Sequence, residues 1–157
     1  MAILYSNYAP QPDCCQAYAE YYQQVGIEVD LQQREDAVWA TLVRAKDNAR
    51  DLFLQSKGGI GTDFNLNRLY SGQFLDEDNR GRWVDPRIEE MLPKGRESFD
   101  NNERQKIYTE MQKIIWENVP ELFGWHPSTV VAMKNEVQGV DIMPWAITYL
   151  RGVTKAS

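Results

Sequence analysis

The sequence predicts an α/β fold, a mainly parallel sheet with helices on both faces. Three observations point there. A short apolar run, an amphipathic helical pattern and an alternating run follow one another within residues 1–31, and such a unit makes a right-handed parallel crossover. A second helical pattern then leads to another short apolar run. That run enters a loop with glycine at 58, 59 and 61, and a strand, a glycine-rich loop and a helix in that order build binding edges in α/β proteins.

Ile3-Leu4-Tyr5 is the first expected strand, and 6–12 a polar loop with two prolines. The first helix is expected to begin at Asp13, with Gln16 at capping-box spacing. Cys14, Tyr18, Tyr21 and Val25 recur as its buried face, and Gly26 is its left-handed stop. Residues 27–31 alternate apolar and polar, the signature of a second strand. A second helix is expected over 35–46, buried through Val38, Trp39, Leu42 and Val43. Residues 47–50 make a turn and 51–55 a third strand. The loop 56–65 follows, then a short helix over 66–70.

Residues 71–82 are dense in Asp, Asn, Gly and Arg and read as a polar surface loop. Asp85-Pro86 is a cap followed by proline at the first helical position. That helix carries Ile88, Met91 and Leu92, and Pro93-Lys94-Gly95 is expected to stop or kink it. Asp100 and Glu103 form a second capping box for the longest helix, 101–118. Ile107, Met111, Ile114, Ile115 and Val119 mark its face, and Pro120 ends it. Residues 122–125 and 130–133 read as strands or extended segments around His126-Pro127. Residues 137–143 are extended with a bend at Gly139, and 144–157 are weakly patterned.

A length of 157 residues suits one domain spanning the chain. A net charge of −6 argues against nucleic acid and anionic membranes as partners. No apolar run is long enough to span a bilayer, and the start lacks the basic segment and apolar core of a signal peptide. Cys14 and Cys15 are adjacent, which rules out a disulfide framework, and both read as small buried thiols. With one His in the chain, Cys and His offer no zinc spacing. No metal and no cofactor are expected.

Taken alone, the glycine-rich loop reads as a turn with Asp63 capping the next helix, or as a ligand edge with Asp63 as its acid. Lys57, Tyr5 and Asn7 fall at the same edge, because ligands collect at the carboxyl ends of parallel strands. Gly58, Gly59 and Gly61 set the loop's shape. His126 reads as structural, since no nucleophile has the expected context and Ser128 lacks a glycine-flanked elbow. Glu89-Glu90 and Asp76-Glu77-Asp78 read as solvated acids, the latter without the glycine and distal Glu of a calcium loop. Tyr18, Tyr21 and Tyr22 are core and rim.

In order along the chain, these segments resemble the C-terminal lobe of the family 5 extracellular solute-binding proteins, the peptide, nickel and oligosaccharide receptors of ABC importers. Residues 24–31, QVGIEVDL, resemble that family's "GIKVEL" helix end. DLFL at 51–54 is similar to "DFDL", and GIGTDF at 59–64 to the "GWGADY" loop. VDPRIEEML at 84–92 resembles "SNPEVDALL", and NERQKIY at 102–108 resembles "PEERKALY". Residues 119–127 and 137–140 are similar to the late "APLIPLYHP" and "VKGF" segments. Ile60 departs from the family's common Trp, the usual proline after the loop is missing at 66, and 93–95 interrupt a helix that is often continuous.

The resemblance implies one lobe of a type II periplasmic-binding-protein fold, with 144–157 heading toward a second lobe. It implies non-catalytic capture of a peptide or other small solute outside the cytoplasmic membrane, by closure of two lobes. Asp63 matches the acid that pairs with a peptide's α-amino group; Gly59, Ile60 and Trp145 join Tyr5, Asn7 and Lys57 as expected ligand contacts. The implied partners are the ligand, an N-terminal lobe absent from this sequence and an ABC permease. Family members are far longer, so the chain reads as an isolated lobe holding half a site. Two alternatives stand beside it: a small hydrolase using His126 or Asp63, and a module that self-associates through the exposed cleft face.

Overall fold

The computed structural model describes residues 1–45, 51–59, 61–124, 128, 130–143 and 148–155. A three-stranded parallel sheet of order β2-β1-β3 forms from β1 (Ala2–Ser6), β2 (Asp30–Arg34) and β3 (Leu52–Phe53). Strand β1 is central: Ala2 pairs with Asp30 on one side, and Ile3 with Leu52 on the other. Strand periodicity then sends its side chains alternately to the two faces. Ile3 and Tyr5 bury against Cys15 of α1 (Gln11–Gln24), and Leu4 buries against Trp39 and Val43 of α2 (Asp36–Arg44). One strand thus seeds a small core on each face, and helices cover both, as the sequence predicts.

A second layer is helical. Helices α3 (Thr62–Tyr70), α4 (Pro86–Glu97) and α5 (Asn101–Asn118) enclose one core of Leu66, Tyr70, Ile88, Leu92, Tyr108, Met111, Ile114 and Ile115. Helix α4 starts as Asp85 accepts the Arg87 N–H at 2.9 Å, and α5 starts as Asp100 accepts the Asn102 N–H at 2.8 Å. Gly95 is buried where α4 meets α5: a Cβ there would sit 2.8 Å from the Tyr108 ring. The remaining described strands are short and antiparallel. Strand β4 (Val137–Gln138) pairs with β7 (Thr154–Lys155), and β5 (Asp141–Ile142) with β6 (Thr148–Tyr149).

Several expectations need correcting. Helix α1 begins at Gln11, before Asp13, because Pro12 is accommodated in a first turn whose N–H needs no intrahelical partner. The Asp13–Gln16 box therefore does not cap it. Its inward residues are Gln11, Cys15, Tyr18 and Tyr22, whereas Tyr21 and Val25 are exposed. Strand β2 lies three residues later than 27–31, since Gly26 (φ 82°) and the following residues turn the chain back from α1. Val38 is exposed on α2, and Cys14 is only half-buried.

Helix α4 passes through Pro93 to Glu97. Pro93 is exposed, while Leu92 and Gly95 are buried, so packing against α5 outweighs one missing backbone bond. Glu103 accepts the Ser98 hydroxyl at 2.5 Å rather than closing a box with Asp100. Glu89 is not simply solvated: it accepts the Gly72 N–H at 2.6 Å. Among the described residues, 122–124 and 130–133 form no strand. The weakly patterned tail supplies β6 and β7. The expected turn at 47–50, Ile60, His126 and Trp145 lie outside the described residues.

Candidate functional site

The carboxyl end of β1 is held by side chains. Ser6 is fully buried, and its N–H donates to the Gln11 side chain at 2.9 Å. Its hydroxyl accepts from the Tyr8 N–H at 3.0 Å. The Asn7 N–H donates to the Arg34 carbonyl at 2.9 Å, leaving the exposed Asn7 side chain at the sheet edge. The Leu54 N–H donates to the Leu4 carbonyl at 3.1 Å, so the chain leaving β3 starts beside this edge. Tyr5, by contrast, turns inward: it is buried in the core with Cys15. Burial, and next the Cys15 charge, raise its phenol above the usual range. Burial and the neighbouring Cys14 push the Cys15 thiol up to about 12, so it stays protonated and unreactive.

The glycine-rich loop runs from this edge to α3. Gly59 sits under the Phe64 ring and the Asn65 side chain, both of which stand where a Cβ would be. Gly61 has φ 106°, a conformation open to glycine, and is the residue from which α3 begins. The helix starts at Thr62 and not at 66, which places Asp63 in its first turn. Asp63 is therefore not the cap, since the capping position is Gly61. Its charge there is favoured by the helix dipole.

Asp63 also reaches across to α4 and α5. The Arg96 Nε donates to both of its carboxylate oxygens, at 3.0 and 3.1 Å, and the Tyr108 hydroxyl donates at 3.3 Å. Burial, and next the Asp63 charge, raise the Tyr108 phenol, so it remains a donor. The carboxylate lies at the rim of an open groove between α3 and α5, lined by Thr62, Asn101, Arg104, Tyr108 and Gln112. A carboxylate has about four acceptor positions, and these two partners do not fill them. Asp63 can therefore still accept from a cation in the groove.

Lys57, expected at the ligand edge, forms an ion pair with Asp78. Arg68 of α3 pairs with the same carboxylate, and with Glu77 at 2.9 Å. Asp78 is buried, contrary to its reading as a solvated acid. Burial alone would raise its pKa; the hydrogen bonds from Lys57 and Arg68, with their charges, outweigh this and hold it below the usual carboxylate range. The stretch 71–82 is likewise a built unit rather than a bare surface loop. Asn79 is 1% exposed, and its amide donates to the Ser71 and Trp83 carbonyls at 3.2 and 2.9 Å. The structure thus brings Asp63 to a groove, Lys57 to a buried acid and Asn7 to the sheet edge. Sequence reasoning missed Arg96, Tyr108 and Asp78, whose roles depend on contacts spanning 33, 45 and 21 residues. Nothing local marks them.

The chain is 32% identical over 124 residues to di/tripeptide-binding protein 2 of Pseudomonas aeruginosa (strain UCBPP-PA14), covering 76% of this chain and 23% of that protein. It is 30% identical over 123 residues to di/tripeptide-binding protein 4 of the same strain, covering 76% and 22%. The chain is similar to di/tripeptide-binding proteins, in line with its resemblance to the family 5 extracellular solute-binding proteins. Its fold agrees. The crystal structure of a dipeptide binding protein from Pseudoalteromonas sp. SM9913, in complex with Met-Leu, superposes with a TM-score of 0.70 at 16% identity, over 99% of this chain and 32% of that one. The α/β lobe expected from the ordered segments is thus what the chain adopts. No family model matches it. The chain spans less than a quarter of the length of these two curated relatives, which are named as binding proteins rather than enzymes.

Proposed function

We propose that residues 1–157 form a single non-catalytic solute-binding lobe of an ABC-importer receptor, contributing one wall of a cleft for a peptide or a similar small solute. The observation that carries this reading is kinship with di/tripeptide-binding proteins over 76% of the chain. The position of Asp63 supports it. A peptide's α-ammonium is a compact donor, and a half-buried carboxylate with a spare acceptor position at a groove rim suits it. In the receptor, residues 144–157 lead toward the second lobe, closure excludes water and strengthens the pair, and a permease outside this chain takes delivery on the extracytoplasmic side. Asn7, Lys57, Gly59, Ile60 and Trp145 complete this wall, with Tyr5 beneath it as support. No observation favours the hydrolase or self-association readings over this one.

A chemical-shift titration with trialanine tests the proposal. Weak binding is expected, with shifts centred on Thr62 and Asp63 that vanish in Asp63→Asn. Tight binding by this chain alone would contradict the half-site reading. Complete absence of shifts at the groove would remove the peptide reading.

A further inference from the structure

The buried carboxylate of Asp78 plays no part in the groove, yet it grips the loop that leads to it from both sides. We propose that Asp78 is the positioning residue of the glycine-rich loop, holding it in the one shape that presents Asp63. That it serves solute binding rests on the proposed function; that it holds the loop does not.

The first grip is direct. Lys57 immediately precedes the glycines, and its ammonium pairs with one Asp78 oxygen. The second acts through a stack. Arg68, one helical turn after Phe64 on α3, pairs with the other Asp78 oxygen. The Arg68 guanidinium lies 4.6 Å from the Phe74 ring and 5.6 Å from the Phe64 ring. Phe64 in turn stands over Gly59. One carboxylate therefore restrains the loop at Lys57 and, through Arg68 and Phe64, at Gly59. Glycines lose more backbone freedom on ordering than any other residue, so a loop with three of them needs such restraint to stay in one conformation.

The anchor itself is fixed beforehand. Asn79, beside it, is fully enclosed and bonded to the Ser71 and Trp83 carbonyls. Its own N–H donates to the Phe74 carbonyl at 2.9 Å. The Asp78 side chain is 9% exposed, so water competes poorly for its oxygens. A buried carboxylate needs a basic partner to offset its desolvation, and Lys57 and Arg68 both supply one.

Amide hydrogen exchange on the full chain without peptide provides the test. In Asp78→Asn, which keeps the shape and removes the charge, exchange at Gly58, Gly59 and Gly61 should accelerate about tenfold or more, while exchange in the middle of α5 stays as in wild type. Asp78→Glu, which keeps the charge, should fall between the two. Equal protection of the loop in Asp78→Asn and wild type overturns the proposal. So does acceleration in α5 matching that in the loop, which would mark Asp78 as a general stabiliser, and so does a Glu variant no better than Asn. Trialanine titration of the same samples separates the two readings. Wild-type protein that ignores trialanine refutes the peptide reading and leaves the exchange comparison to decide the clamp. Binding that persists unweakened in Asp78→Asn despite a loosened loop overturns the claim that the clamp serves the site.

Discussion

The sheet layer and the three-helix layer bury themselves differently. In the sheet layer one five-residue strand, β1, serves two faces, and among the described residues each face holds three buried core residues: Ile3, Tyr5 and Cys15 on one, Leu4, Trp39 and Val43 on the other. In the helical layer eight buried residues from three helices share a single core. The cores have no residue in common. Among the described residues, contacts between the layers include the Lys57–Asp78 pair and Arg80, whose guanidinium lies 4.9 Å from the ring of Trp39 on α2. Burial, and next the Arg44 charge, lower the Arg80 pKa against the pull of Asp78 and Asp36. The lesson is a division of labour. Each apolar core holds its own layer, and the groove acid stands on the helical layer, in the first turn after the loop that joins the two.

The strongest way to break this comparison is to empty one core at a time. Met111→Ala removes a fully buried side chain from the helical core and should cost about 2–5 kcal/mol, as large-to-small core changes do. Urea denaturation followed by hydrogen exchange would show α3, α4 and α5 losing protection before β1. Simultaneous loss in both layers would make them one cooperative unit. At the groove, Asp63→Asn replaces a charge-assisted bond by a neutral one. Peptide affinity should fall about tenfold to a hundredfold, corresponding to the ~1.5–3 kcal/mol of hydrogen bonds to charged groups. Titration with trialanine measures it, with thermal stability little changed.

A pH series probes the Lys57–Asp78 pair more gently. The folded-state pKa of Asp78 lies below its ordinary value of 3.8. A depressed carboxylate contributes stability that is complete above the unfolded value and is lost as pH falls through the folded value. Wild type should therefore lose stability below about pH 4 more steeply than Asp78→Asn. Parallel curves would show that the pair adds nothing to folding. The smallest expected effect is Asp85→Ala, which removes the α4 cap and should cost about 1 kcal/mol. Its influence should stay within the helical layer, which exchange at β1 would verify.

The two layers also differed in how legible they were. Helix α5 occupies the expected 101–118, because Asp100 and Pro120 bracket a strong apolar period. Helix α4 starts at Asp85-Pro86 for the same local reasons. Strand β2 was displaced because 27–31 alternate as well as any strand, and only pairing with β1 selects 30–34. The site was legible in part. Glycines and an acid located the loop, but Arg96, Tyr108 and Asp78 arrive from distant positions, and Asp78 sits in an acidic run that composition reads as solvated. Pro93 misled for a similar reason: a local helix breaker is overruled by what its neighbours pack against.

The meeting of Gly59 with Phe64 has a consequence for how such a loop can evolve. The ring occupies the volume that any side chain at 59 would need. The Asn65 side chain crowds the same volume, so a residue other than glycine at 59 needs changes at both 64 and 65, and the three positions should drift together across homologous sequences. Their coupling would be recorded as covariation of a glycine with the aromatic and the amide five and six residues later, one that tracks the contour of the loop.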